Sequence, residues 1–243
     1  AAVLDEPVTI ILSDKGWLRQ RQGHGVDLAA LSFKEGDKLF AALECRSPDA
    51  LLLLGSDGRA YTLNAAQIPG GKGDGVPAAS LMGLQAGTRI VAMLTGQPEE
   101  QVLLANSGGY GFVTTIADML SRQKGGKLIM TLEPGEQVLP PARIAPNGQR
   151  YVACVSGSDR LLVYALNEVR AMPKGRGVIL MGLEEKDSLK LTCVFVDTLT
   201  TRGVRRGRAI EEMPRFEIGR RARKGTQLNL KVEALSATME KPD

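Results

Sequence analysis

Lysines and arginines set among glycines recur five times along the chain, and the chemistry open to them is phosphate binding. The strings are RQRQGHG at 19–25, GGKGDG at 70–75, RQKGGK at 122–127, PKGRG at 173–177 and RRARKG at 220–225. Lysine meets a phosphate as a compact charge and arginine as a planar, two-pronged donor. Neighbouring glycines let a polyanion come close and leave peptide N–H groups as further donors. Aligned on Gly23, Gly73, Gly125, Gly175 and Gly225, the copies lie 50, 52, 50 and 50 residues apart. The residue before that glycine is Gln22 in the first copy, then Lys72, Lys124, Lys174 and Lys224. Charge at one fixed place in a repeat lines one rim of the folded repeat array.

Other chemistries find little support in the residue types. His24 is the single histidine and stands in a basic glycine loop without a ligand partner at metal spacing. A Ser-His-Asp triad would have to use it, and no G-x-S-x-G elbow is present. The glycine loops are not nucleotide fingerprints, since no G-x-x-x-x-G-K-[ST] occurs and GGKGDG precedes no helix-like segment. The acid pairs Glu184–Glu185 and Glu211–Glu212 sit in polar, turn-like stretches as solvated charges. Tyr61, Tyr110, Tyr151 and Tyr164 fall in or beside strand-like runs, where they pack. Cys45, Cys154 and Cys193 lie far apart in apolar strand contexts and read as buried, reduced thiols. No catalytic site, metal site or cofactor is expected in this chain.

The elements that must position the basic clusters repeat in the same phase. A hairpin signal stands in each of the first four repeats: SDKG at 13–16, SDG at 56–58, SGG at 107–109 and GSD at 157–159. Asp-Gly and Gly-Gly supply the positive φ of tight hairpin turns, and Asp159 stands in for glycine because Asp enters the left-handed region readily. Apolar runs lead into the turns, as in VTIIL at 8–12, ALLLL at 50–54, QVLLA at 101–105 and YVACV at 151–155. After each middle cluster an echo returns: SLMGL at 80–84, LIMTL at 128–132 and ILMGL at 179–183. Each unit thus offers about four short strands around a basic loop, a period that argues for radial or solenoidal repetition of small sheets. IADMLS at 116–121 makes at most one helical turn. The repeats run over 3–36, 37–87, 88–135, 136–186 and 187–233, within one domain of 1–243 that ends in a polar tail at 234–243. The compressed first copy and polar fifth leave both a closed and a broken ring open.

Aromatics are only 4% against 43% apolar residues, so the core is aliphatic. Residues 202–231 hold ten Lys/Arg against three Glu, so basicity peaks in the fifth repeat although the whole chain carries only +4. No run is long and apolar enough for a membrane span, no signal peptide is evident, and reduced thiols imply a cytoplasmic setting. A start without Met, directly in a strand-like segment, suggests a piece of a longer protein.

Three stretches carry a resemblance: VTIILSDKGWLRQRQGHGVDLAALSFKEGD, LLLLGSDGRAYTLNAAQIPGGKGDG and LLANSGGYGFVTTIADMLSRQKGGKLIMTL. They resemble the C-terminal domains of bacterial type II topoisomerases, those of the topoisomerase IV A-type chain more than those of the gyrase A-type chain. The gyrase signature Q-R-R-G-G-K-G is approached by Arg122, Gln123, Lys124, Gly125, Gly126 and Lys127 of the third repeat, whereas the first repeat has RQRQGHG in its place. The resemblance implies an all-β pinwheel of five four-stranded blades that exchange strands between neighbours. It implies sequence-tolerant binding and bending of double-stranded DNA, without a full chiral wrap. It also implies service to an N-terminal cleavage core and an ATPase subunit, which supply the catalytic tyrosine, ATP and Mg2+ for decatenation and chromosome segregation. By that resemblance DNA contacts fall to Arg19, Arg21, Lys72, Arg122, Lys124, Lys127, Lys174, Arg176, Arg221, Arg223 and Lys224; charge density alone adds Arg205, Arg206 and Arg208. The other readings are a gyrase-type wrapping domain and a propeller-like platform that meets an acidic protein.

Overall fold

The structure, a computed structural model, describes residues 4–237. Five antiparallel hairpins set the frame: β1 (Pro7–Ser13) with β2 (Trp17–Gln22), β4 (Ala50–Gly55) with β5 (Arg59–Asn64), β8 (Gln101–Ala105) with β9 (Tyr110–Thr115), β12 (Tyr151–Ser156) with β13 (Arg160–Ala165), and β16 (Leu199–Arg205) with β17 (Arg208–Glu212). The turns are closed by residues with positive φ, Gly58 (+81°), Gly109 (+90°) and Asp159 (+67°) among them. Asp159 takes the left-handed conformation that its place in the turn requires. The fifth turn has no Ser-Asp-Gly; Arg206 (+51°) and Gly207 (+74°) both adopt positive φ in a two-residue loop, the geometry of a type I′ turn.

In each blade a strand that follows the hairpin, and that in the first four opens the next sequence repeat, returns to the first hairpin strand. These are β3 (Leu39–Arg46), β7 (Ile90–Leu94), β11 (Ala142–Arg143), β15 (Leu189–Phe195) and β19 (Lys231–Ala237). Four two-residue strands complete the sheets: β6 (Val76–Pro77), β10 (Lys127–Leu128), β14 (Val178–Ile179) and β18 (Thr226–Gln227). Each follows the basic loop of its own repeat but pairs with the hairpin of the repeat before it, β6 with β2, β10 with β5, β14 with β9 and β18 with β13. The result is five blades joined by strand exchange, as in a β-pinwheel. Four blades have four strands. The fifth has three, in the order β17-β16-β19, because among the described residues no exchanged strand pairs with β17. Residues 234–237, read from sequence as the start of a polar tail, are the end of β19 and pair with Leu199–Arg202 of β16. The rest of that tail, and the first residue of the first repeat, lie outside the described residues.

The described chain gathers into two compact units. One contains residues up to Gln97 together with Met119–Ile129, and the other contains Pro98–Asp118 with Met130 onward. Met119–Ile129 belongs with the first unit because β10 completes the sheet of β4 and β5. Among the described residues the one α-helical turn, α1 (Ile116–Met119), stands where the sequence placed it.

The first strands of the first four hairpins are buried along almost their whole length, as continuous apolar runs require, whereas β17 of the fifth has no buried residue. Ile10, Ile11, Leu51, Leu53 and Tyr61 are fully enclosed in the first unit, and Leu103, Val152, Cys154 and Tyr164 in the second. The cores are aliphatic, as the composition demands. All three cysteines are buried and free of disulfides. Burial pushes the thiols of Cys45 and Cys193 up to about 11 and that of Cys154 up to about 12. A thiolate is therefore inaccessible at neutral pH. The expected outcome with a disulfide exchange reagent near pH 8 is no rapid thiol release from the native chain and three thiols after denaturation; prompt native release would show that one of these strands is not packed as described.

Candidate nucleic-acid interface

The basic loops of the second to fifth repeats are each seated by one recurring glycine. A Cβ on Gly75 would lie 2.0 Å from the carbonyl oxygen of Leu18, and one on Gly177 would lie 2.0 Å from that of Gly111. Gly126 and Gly225 stand in the same relation to Ala60 and Leu161, and all four have positive φ. No other residue fits so close to a backbone in that conformation. These four glycines, with Gly25 in the first repeat, mark the true phase of the repeat, at steps of 50, 51, 51 and 48 residues. Sequence alignment on Gly23, Gly73, Gly125 and Gly175 is therefore shifted by one or two positions in four of the five copies. In the corrected phase the residue before the glycine is His24, Asp74, Gly125, Arg176 or Lys224, so the lysines do not share one backbone position.

Arginines outside the five glycine strings hold the loops from beneath. Arg59 donates to the carbonyls of Gly125 (2.8 Å) and Gly126 (3.3 Å). Arg160 donates to those of Lys224 (3.1 Å) and Gly225 (2.6 Å). Both arginines open the second strand of a hairpin, directly after the Ser-Asp turn, and SDGR and SDR are the signal that could have found them. Backbone N–H groups of the echo segments add a second tie: Gly83 to Lys124 O (2.8 Å), Thr131 to Gly175 O (3.1 Å) and Gly182 to Arg223 O (2.9 Å). With their carbonyls turned inward, the loops expose Lys72, Arg122, Lys124, Lys174, Arg223 and Lys224.

Not every cation expected at this surface stands there. Arg19 is only 4% exposed. Its guanidinium donates to Gly73 O (3.0 Å) and Ser32 O (2.6 Å) and packs 4.8 Å from the Phe33 ring. Burial, aided by Arg21, lowers its pKa from the usual arginine value. Arg19 is thus a strut of the loop. Arg21 is half-buried, donates to the Gly71 carbonyl, and lines with Lys72, Gln20 and Gln22 an open hollow of about 630 Å³ that also holds Glu6. Arg176 stacks 3.9 Å over Tyr110 and is bidentate to Glu136, with one contact at 2.9 Å. Arg205 is committed to Glu212 and to Asn229 O (3.1 Å). Arg221 gives one terminal nitrogen to Ile179 O (2.8 Å) and is half-buried. Lys127 is half-buried at the head of β10, and Lys224 reaches Glu184 across the surface. Arg206 and Arg208 are exposed at and beside the fifth hairpin turn. His24 donates to the carbonyl of Cys45 (2.7 Å), a loop tie. No cluster of three His, Cys, Asp or Glu that could hold a metal occurs among the described residues, and no helix there is long and apolar enough to cross a membrane.

The bond to Arg176 holds the Glu136 carboxyl below the usual glutamate range, and Glu136 in turn raises Arg176. A carboxyl whose folded pKa is depressed adds stability above its ordinary pKa and loses it as pH falls through the folded value. Glu136→Gln is expected to cost about 1–2 kcal/mol near pH 7, a deficit that shrinks as pH falls below about 4, read by urea unfolding at both pH values. A deficit independent of pH would show that the pair is not what secures this loop.

Among known proteins, the family model described as DNA gyrase C-terminal domain, beta-propeller matches residues 49–94, 100–144 and 150–190. The A-type chain of DNA topoisomerase 4 from Neisseria gonorrhoeae is 44% identical over 200 residues, 78% of this chain and 25% of that protein. The Escherichia coli K12 protein of the same name is 30% identical over 230 residues, 91% of this chain and 30% of that protein. The chain therefore spans less than a third of the length of these relatives. Among solved structures, the E. coli ParC C-terminal domain superposes with a TM-score of 0.83 at 28% identity, covering 95% of this chain and 98% of that one. A DNA gyrase A C-terminal domain has a TM-score of 0.72 at 18% identity, covering 97% and 84%, a likeness of fold.

Proposed function

The chain belongs to the DNA gyrase C-terminal domain family, among the C-terminal domains of the topoisomerase IV A-type chain, and from that premise we propose that its basic loops bind and bend duplex DNA without reading sequence. The observation that carries the reading is the seating of the loops: glycine and arginine pull the carbonyls inward, and the exposed charge left outside is cationic, from Lys72, Arg122 and Lys124, Lys174, and Arg223. Lysine-rich loops without a recognition helix favour phosphate contact over base contact. Bending a site of 20–30 base pairs costs on the order of 1–6 kcal/mol, and several phosphate contacts at moderate salt offset that cost. In the whole enzyme this domain guides a DNA segment toward an N-terminal cleavage core, while an ATPase subunit supplies ATP and Mg2+ chemistry for decatenation. The chain itself contributes no catalytic group to that scheme.

A mobility-shift titration against salt with random-sequence duplex tests the reading. Affinity is expected to fall linearly on a log–log plot, by about 0.9 per phosphate neutralised. Lys72→Glu and Lys124→Glu should each weaken binding and flatten the slope by about 1. Arg19→Met should instead lower stability by about 1–3 kcal/mol and leave the slope of the folded protein alone. Absence of binding at about 50 mM salt sinks the proposal; unchanged slopes in both lysine variants remove these loops from it.

A further inference from the structure

The corrected phase brings a second, uncharged feature into line. Two residues after the seating glycine, each exchanged strand carries Pro77, Leu128, Ile179 or Gln227. Pro77 is exposed, as are Leu128 (49%) and Ile179 (39%). Antiparallel pairing sets these three opposite Trp17, Arg59 and Tyr110, and so on the same face of their own blades. Each of those faces carries a cation or a cation-capped ring: Lys34 Nζ lies 3.6 Å from the Trp17 ring centre, Arg59 reaches the loop carbonyls, and Arg176 covers Tyr110. In the fourth blade the equivalent Gln227 is polar and spends its amide on Ser158 O (2.8 Å) and Asp159 O (3.2 Å).

Aliphatic side chains half in water, each directly after a lysine-bearing loop, gain nothing from a purely ionic contact. They suit a partner that presents apolar faces between rows of phosphate. The minor groove of duplex DNA does so through its deoxyribose edges, and proteins that bend DNA from that side use Pro, Leu and Ile as wedges. Resting on the DNA-binding reading above, we propose that Leu128 and Ile179, with Pro77 at the same position of its blade, press against deoxyribose edges of the minor groove. The flanking loops hold the adjacent phosphates. The apolar contacts supply the part of affinity that salt does not screen, and they localise the bend.

The test uses the 243-residue chain and an end-labelled random duplex of about 30 base pairs, with affinity measured across salt and bending read from end-to-end energy transfer. Leu128→Thr with Ile179→Thr keeps strand-forming residues at both positions. The double variant is expected to bind about tenfold more weakly at every salt concentration, with an unchanged log–log slope and a smaller bend. Leu128→Met with Ile179→Met should restore both. Unchanged affinity and bend in the threonine variant overturn the proposal. So does a loss accompanied by a flatter slope, since that would mean the loop cations had been disturbed. A parent chain that binds no DNA sinks the underlying reading, a result distinct from either.

Discussion

One steric constraint organises this protein: a peptide with positive φ must lie flat against the carbonyl of the preceding hairpin, where a side chain would collide. Gly75, Gly126, Gly177 and Gly225 meet it in four successive places. Once that contact is made, the next two residues are in position to pair as a strand, and the residues before it bulge outward as a loop. Strand exchange and charge display are therefore two sides of the same contact. Gly25 has the same positive φ, but a Cβ there would meet nothing within 4 Å, and Val26–Asp27 is not paired as a strand. Where the contact is missing, so is the exchanged strand.

Six arginines serve the fold itself, while Arg122, Arg206, Arg208 and Arg223 stay exposed. Arg19, Arg59, Arg160, Arg176, Arg205 and Arg221 all spend planar donors on carbonyls or carboxylates inside the fold. A guanidinium can bridge two oxygens at once, which an ammonium cannot do in a fixed plane. Lys72, Lys124 and Lys174 remain at the surface, where a strongly hydrated point charge costs least. The basic composition thus overstates the charge available to a partner, because part of it is consumed in holding the loops.

Much of the architecture was legible in the sequence because local chemistry decides it. Hairpin turns need positive φ, so SDG, SGG and even Asp159 announced themselves, and apolar runs of five residues announced the strands between them. The exchanged strands were not legible, since two residues carry no periodicity and their partner lies a repeat away. For the same reason the phase of the basic loops was misread: GGKGDG and PKGRG contain several glycines, and only packing against Leu18 or Gly111 distinguishes the seated one. Residue type identified Arg19 and Arg176 as cations but not their burial, which depends on Phe33, Ser32, Glu136 and Tyr110 arriving from elsewhere in the chain. The fifth turn carries no Ser-Asp signal, yet Arg206-Gly207 meets the same backbone demand.

Because β6, β10, β14 and β18 complete a hairpin that precedes them, the stretch of gene that encodes one repeat does not encode one blade. Excising or duplicating a sequence repeat would remove or deliver an edge belonging to the neighbour. Such an array can lengthen or shorten only by re-splicing two blades at once. The number of blades is consequently harder to change by recombination than the identity of any loop, and innovation in this architecture falls to point substitution in the segments between the glycine and the turn.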